Sequence, residues 1–314
     1  MTVALARERW AGQVAEMTIG KGSGAVSIGG EKTLPFLHFE GEMPNKPAAA
    51  LELWDVEPVE WPEVLKRHFH GVLGDAVAWA KRCAGYGADL ICLRLASAHP
   101  DYKDASPGEA AATAASVAEA TELPLIVVGC GVEEKDALIL PAVSRALAGR
   151  NALIGCATAN NYKTVCEACL ADGHGVIAST PLDINLAKQL NIMMNETGLP
   201  PNRIVIDPLV GSLGYGLEYA YSIIERTRLS ALSGDRMLAM PVVCFVGYET
   251  WKTRESRAED SEEWGPQEKR AVLWEAVTAA SLAQAGGSLF VMYHPESLVQ
   301  FKKHIDCLME TDQF

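Results

Sequence analysis

Short runs dense in Val, Ile, Leu, Cys and Phe punctuate the chain at 34–39, 88–95, 123–129, 152–157, 175–179, 203–207, 240–246 and 288–293. Most are nearly continuous rather than alternating, the pattern of parallel strands covered on both faces. Between them lie segments with apolar residues at helical spacing. Residues 73–86 bring Val77, Ala80 and Ala84 onto one face and end in Gly85 and Gly87. Residues 107–121 open with Pro107 just inside the helix and are rich in alanine, a strong helix former. Further helices are predicted over 136–147, 161–171, 184–197, 217–232, 267–285 and 295–310. Gly149, Gly173 and Gly198 stand just past helix ends, where a left-handed cap belongs.

Eight strands alternating with eight helices predict an α/β fold, a TIM (β/α)8 barrel. A doubly wound open sheet competes, but it usually has fewer strands and a glycine-rich first crossover. Ahead of the barrel, Met17-Thr-Ile-Gly and Ala25-Val-Ser-Ile28 flank a Gly/Ser turn and predict a β-hairpin. The expected division is a hairpin extension over 1–33, packed on the barrel and plugging its N-terminal end, and a barrel over 34–314.

Composition narrows the class. With 314 residues and 49% hydrophobic positions the chain can build a large core and is not disordered. Its 40 acidic against 27 basic residues give a net charge of −13, which argues against nucleic acid. The longest apolar stretch, 238–247, is too short to span a membrane, and residues 1–13 hold no signal-peptide core. Eight scattered cysteines predict reduced thiols and a cytoplasmic location.

Two connections after strand ends exceed ordinary loops: 40–71, with Trp54 and Trp61, and 249–270, with Trp251 and Trp264 among interleaved charges. The second reads either as a solvated helical extension or, because of its tryptophans, as a docking surface. The strand ends themselves are rich in hydroxyls and amides. His38, His99 and His294 are expected near the rim without motif partners, so metal-assisted hydrolysis is disfavoured. Cys166-Glu-Ala-Cys169 falls within a helix, lacks a second pair, and reads as core cysteines. Asp172-Gly-His174-Gly175 superficially resembles a cobalt-ligating histidine signature, but its glycine is misplaced. Asp207-Pro208 has two readings of equal weight: an acceptor for a heterocycle's N–H, or a structural cap on the glycine-rich turn that follows.

Leu34-Pro-Phe-Leu-His-Phe-Glu-Gly-Glu-Met-Pro-Asn-Lys-Pro47 and Ala50-Leu-Glu-Leu-Trp-Asp55 closely resemble the start of the small subunit of the corrinoid iron–sulfur protein of the reductive acetyl-CoA pathway. The likeness continues through Gly129-Cys-Gly-Val-Glu, Ile206-Asp-Pro-Leu-Val-Gly-Ser-Leu-Gly-Tyr-Gly216 and Val246-Gly-Tyr-Glu-Thr-Trp-Lys252, and so covers nearly the whole chain. The resemblance implies a heterodimer with a large corrinoid iron–sulfur subunit, cobalamin shared between the two, and no iron–sulfur cluster in this chain. It also implies a non-catalytic methyl carrier in anaerobic carbon fixation, fed by a methyltetrahydrofolate methyltransferase and delivering to acetyl-CoA synthase/CO dehydrogenase. The expected corrinoid-facing residues lie on the rim after strands four to six: Thr158, Asn160, Thr180, Asn185, Asp207 and Ser212. The alternative is a stand-alone pterin-binding methyltransferase gripping methyltetrahydrofolate with Asp207 and Asn185. A third reading is a structural subunit that never touches the corrinoid.

Overall fold

The computed structural model describes residues 6–310. Residues 1–5 of the expected hairpin unit and 311–314 of the expected barrel unit lie outside the described residues. The hairpin pairs β1 (Met17–Ile19) with β2 (Val26–Ile28), Thr18 opposite Ser27. Eight parallel strands then form the barrel: β3 (Ala48–Trp54), β4 (Leu90–Arg94), β5 (Leu125–Val128), β6 (Leu153–Ala157), β7 (Gly175–Ser179), β8 (Ile204–Asp207), β9 (Val243–Cys244) and β10 (Leu289–Met292). Neighbours follow chain order, β3 pairs β10, and the seam between β8 and β9 closes through an Ile206–Val242 bridge.

Helices cover the outside: α1 (Glu63–Lys66), α2 (Ala76–Gly85), α3 (Pro107–Ala120), α4 (Glu133–Ala146), α5 (Tyr162–Asp172), α6 (Ile184–Glu196), α7 (Leu217–Leu232), α8 (Val246–Thr250), α9 (Arg254–Arg257), α10 (Gln267–Ala285) and α11 (Pro295–Met309). Some of their starts are capped by side chains. Ser106 and Glu109 form a reciprocal capping box on α3, and Asp183 accepts from the amides of Asn185 and Leu186 to start α6. None of these helices is long and apolar enough to cross a membrane.

The first barrel strand corrects the sequence reading. It is Ala48–Trp54, not 34–39, which forms turns containing Phe36 at φ 61°. Three alanines and a central glutamate made 48–54 look unlike a strand, but all seven of its residues are buried between lumen and helices. Residues 34–47 therefore precede the barrel, and His38 leaves the mouth. Its Nε2 donates to the Leu308 carbonyl at 2.9 Å, at the far end of α11.

The tryptophan-bearing connections also differ from expectation. Trp54 and Trp61 are core residues, and Trp251 is 2% exposed with its indole N–H on Glu275 Oε2 at 3.0 Å. The 249–270 segment is folded around Arg270, which donates to the carbonyls of Glu255, Ala258, Trp264 and Gly265. Trp264 alone of the two remains at a surface, between Arg254 and Arg270.

The strand period of two sorts the barrel interior into layers. Ala48, Ala50, Leu90, Cys92, Ile126, Leu153, Ile177, Val205 and Leu289 fill the lower lumen with Met17, Ile19 and Ile28 of the hairpin packed beneath them. Counting by twos toward the strand C-termini turns the same inward columns polar, through Glu52, Arg94, Ser179, Asp207 and Tyr293. The site is built on that transition.

Candidate functional site

At the C-terminal mouth lies a cavity of about 280 Å³, lined among others by Arg94, Asp136, Asn161, Ser179, Asp207 and Tyr248. Arg94 ends β4 and meets Glu52 of the neighbouring strand in a two-armed ion pair, Nε–Oε1 2.5 Å and Nη2–Oε2 3.2 Å. Glu52 has zero exposure and also accepts from Trp54 Nε1 (2.9 Å) and Tyr293 Oη (3.1 Å). Burial works against the Arg94 charge, but the Glu52 carboxylate outweighs it and holds the guanidinium well above its ordinary pKa. The Arg94 guanidinium carbon lies 4.7 Å from the centroid of the Tyr248 ring, and Lys252 Nζ approaches the same ring to 3.3 Å.

Asp207 ends β8 and does cap the turn that follows it. Oδ1 accepts the amide of Leu209 at 3.0 Å, capping the turn, while Oδ2 accepts Ser179 Oγ at 2.7 Å inside the cavity. Burial pushes its pKa up to about 6, against the pull of those donors. Asp136, on α4, receives the amides of Cys130 and Gly131 at 2.8 and 3.0 Å, and burial raises it too. Cys156 is no activated nucleophile, because desolvation and Asp207 hold its thiol well above the usual range. The arrangement is one of fixed donors and acceptors suited to holding a polar edge.

Of the six residues expected from sequence, Thr158 and Asp207 line this cavity. Asn160 is exposed and donates to Glu133 at 2.6 Å, and Asn185 is exposed in the first turn of α6. Thr180 and Ser212 are buried, with hydroxyls that find no partner among the described residues. Glu52, Arg94, Asn161, Ser179 and Tyr248 were not chosen. Counting inward positions by twos along each strand would have found Arg94 and Ser179.

On the β7 and β8 side of the mouth the rim carries exposed apolar and aromatic side chains. Leu182, Leu186, Leu209, Tyr215 and Tyr219 are 40%, 43%, 49%, 51% and 62% exposed, all just beyond the ends of β7 and β8 or in the first turns of α6 and α7. Leu209 adopts φ 57°, a left-handed conformation that costs a non-glycine residue on the order of 1–3 kcal/mol and tends to persist where function holds it.

Two other clusters are structural. Cys166 and Cys169 are buried on the inner face of α5, and His174 is satisfied by the Ala152 amide and the Ser144 carbonyl, each at 3.0 Å. His68, Glu268 and His294 gather with their polar atoms within 4.8 Å. His294 Nδ1 accepts the Glu296 amide, however, so the neutral ring carries its proton on Nε2 and has no lone pair there for a metal. Glu268 instead clamps Arg67 and His68, the latter at 2.7 Å.

The family model described as CO dehydrogenase/acetyl-CoA synthase delta subunit matches residues 16–283. The chain belongs to that family. Among relatives, the acetyl-CoA decarbonylase/synthase complex subunit delta of Methanosarcina mazei is 36% identical, over 96% of this chain and 72% of that protein. The subunit of the same name from Methanocaldococcus jannaschii is 34% identical, over 94% of this chain and 74% of that protein. These names place delta subunits in an acetyl-CoA-handling complex, in line with the resemblance seen in the sequence. They print neither a subunit size nor a corrinoid. A dihydropteroate synthase of Xanthomonas albilineans, solved with indole-2-carboxylic acid and 6-chloroguanine, superposes with a TM-score of 0.61 at 16% identity, over 85% of this chain and 94% of that one. The synthase of Yersinia pestis gives 0.53 at 14% identity, over 84% and 91%. At such identities the delta-subunit chain shares their barrel fold, and the likeness says no more.

Proposed function

We propose that this chain is the small, barrel-bearing subunit of a heterodimeric corrinoid iron–sulfur methyl carrier, and that its barrel mouth covers a cobalamin held by the large subunit. The observation that carries the reading is the rim: Leu182, Leu186, Leu209, Tyr215 and Tyr219 are exposed on the mouth segments after β7 and β8, with Leu209 lining the cavity itself, on a barrel of the delta-subunit family. A cavity of about 280 Å³ is at the small end for drug-sized ligands and far too small to swallow a corrin ring. It would take a peripheral group of such a ring, and Leu209 and Tyr215 would be the exposed side chains offered to the macrocycle. A bound corrinoid would supply a cobalt centre able to accept and donate a methyl group.

The chain's own residues would then exclude water and orient the ring, with the Asp207 carboxyl hydrogen-bonded by Ser179 and Leu209 at the cavity. Arg94 is neutralised by Glu52, and no free histidine faces the cavity from among its lining residues. On this reading the methyl group arrives from methyltetrahydrofolate through a separate methyltransferase and leaves to acetyl-CoA synthase. The iron–sulfur cluster belongs to the partner, and the assembly works in the cytoplasm. Residues 1–33 act as a separate plug on the barrel unit 34–314, whose first strand begins at Ala48. Thr158 and Asp207 sit at the cavity, while Asn160, Thr180, Asn185 and Ser212 belong to its surrounds.

Co-expression with a candidate large subunit, followed by anaerobic purification, tests this. The account expects a coloured one-to-one complex and a colourless isolated chain. A second reading, a pterin-binding methyltransferase, is favoured by the buried Asp207 acceptor and would be indicated by micromolar binding of methyltetrahydrofolate to the chain alone.

A further inference from the structure

One buried donor in the cavity has nothing to give its proton to. Asn161 is 4% exposed, and its Oδ1 accepts the Thr158 amide at 2.8 Å, so the side chain is fixed. Its Nδ2 makes no hydrogen bond among the described residues, and the residue is one of those lining the cavity. A buried amide donor left unmade costs about 1–3 kcal/mol, so such an atom in a concave site points to a ligand acceptor. Arg94, which lines the same cavity, offers a further donor. Glu52 takes Nε and Nη2, and Nη1 has no partner among the described residues. Opposite in character, Asp207 is an acceptor: Oδ2 takes Ser179 Oγ and, at 3.8 Å, the Cys156 thiol, while Oδ1 takes only the Leu209 amide and retains a lone pair.

We infer that the cavity is a subsite for a neutral amide edge, a C=O beside an N–H, whose oxygen accepts from Asn161 Nδ2 and Arg94 Nη1 and whose N–H donates to Asp207. A carboxylate would satisfy the donors but meet Asp207 with like charge. An amine would satisfy Asp207 and leave Asn161 orphaned. Only a group carrying both functions pairs every free atom. The inference rests on the proposed function for its source: the primary-amide side chains at the periphery of a corrin ring, one of which reaches into the cavity while the ring stays at the rim. A lactam edge of a pterin ring offers the same chemistry from a different molecule.

The test uses the purified full chain and the purified heterodimer, titrated calorimetrically with three probes. These are cobinamide, whose side chains are amides; cobyrinic acid, whose side chains are carboxylates; and methyltetrahydrofolate. Asn161→Asp keeps the acceptor for the Thr158 amide and removes the free donor, and Asp207→Asn keeps the cap on Leu209 while changing the acceptor. Unchanged thermal unfolding checks that each folds. We expect cobinamide to bind, cobyrinic acid to bind at least tenfold more weakly, and Asn161→Asp to weaken cobinamide by about tenfold. Binding of methyltetrahydrofolate alone, weakened by the same substitution, would keep the amide subsite and move its source to the pterin, overturning the corrinoid reading but not this one. Equal binding of cobinamide and cobyrinic acid, no binding of any probe, or binding indifferent to Asn161→Asp would overturn the subsite.

Discussion

Arg94 and Glu52 occupy adjacent strands at the height where the barrel lumen turns from apolar to polar, and they hold one another through two hydrogen bonds of 2.5 and 3.2 Å. Arg94 lines the cavity, and Glu52 is buried behind it. The pairing lets a full positive charge face a buried site without a net charge, and it fixes Tyr248 above the guanidinium.

Removing one partner strands the other. Glu52→Gln or Arg94→Met is expected to cost about 3–5 kcal/mol, because an uncompensated buried charge remains. The double variant Glu52→Gln/Arg94→Met should be closer to wild type than the sum of the two singles. Urea unfolding of the four proteins completes the cycle; strict additivity would contradict the pairing.

His294 predicts a pH dependence. Burial, with His68 and Arg67 adding to it, pushes its pKa down to about 3. Glu268 Oε1 stands 3.7 Å from its Nε2, and Nδ1 caps α11 by accepting the Glu296 amide. In the unfolded chain the imidazole titrates near its ordinary 6.5. Below that pH the unfolded state binds a proton that the native state refuses, so stability falls between about 6.5 and 3 and is unaffected above. His294→Asn retains a cap and should shrink the loss of stability from pH 7 to pH 5 by roughly 2 kcal/mol, read from urea midpoints. In metal-free wild type, 15N spectra should show this ring neutral at pH 5.

Gly129 sits against the buried Asp136 carboxyl, and a Cβ there would overlap it. That carboxylate cannot swing away without releasing the Cys130 and Gly131 amides. Gly129→Ala should therefore destabilise by about 1–3 kcal/mol. Gly71→Ala, with open space around it and only a positive φ to resist, should cost less. Equal thermal shifts for the two would show that Asp136 is not held.

Much of the barrel was legible in the chain because seven of its strands fall within runs dense in apolar residues and helices such as α3 and α6 carry explicit caps. Its first strand was not. Ala48–Trp54 mixes alanines with Glu52, and the glutamate reads as a loop residue until Arg94, Trp54 and Tyr293 are seen satisfying it. That one shift also moved His38 from the mouth to the opposite end. At the site, Asp207 was legible because Pro208 and the glycines behind it mark a strand exit. Asn161 was not, since its significance is an orphaned Nδ2 that only packing reveals. Trp251 misled because charged neighbours in sequence said nothing of Glu275, which covers its indole N–H.

The covering role of the rim is tested most directly by the anaerobic visible spectrum of the co-purified heterodimer carrying Leu209→Asp and Tyr215→Asp, compared with wild type in the same cobalt oxidation state. Both side chains are about half exposed, so the fold should tolerate the change. Shifted cobalt bands, or loss of colour from a complex that still assembles, are the predicted result. A spectrum identical to wild type would contradict the account and leave this chain a scaffold that never meets the corrinoid.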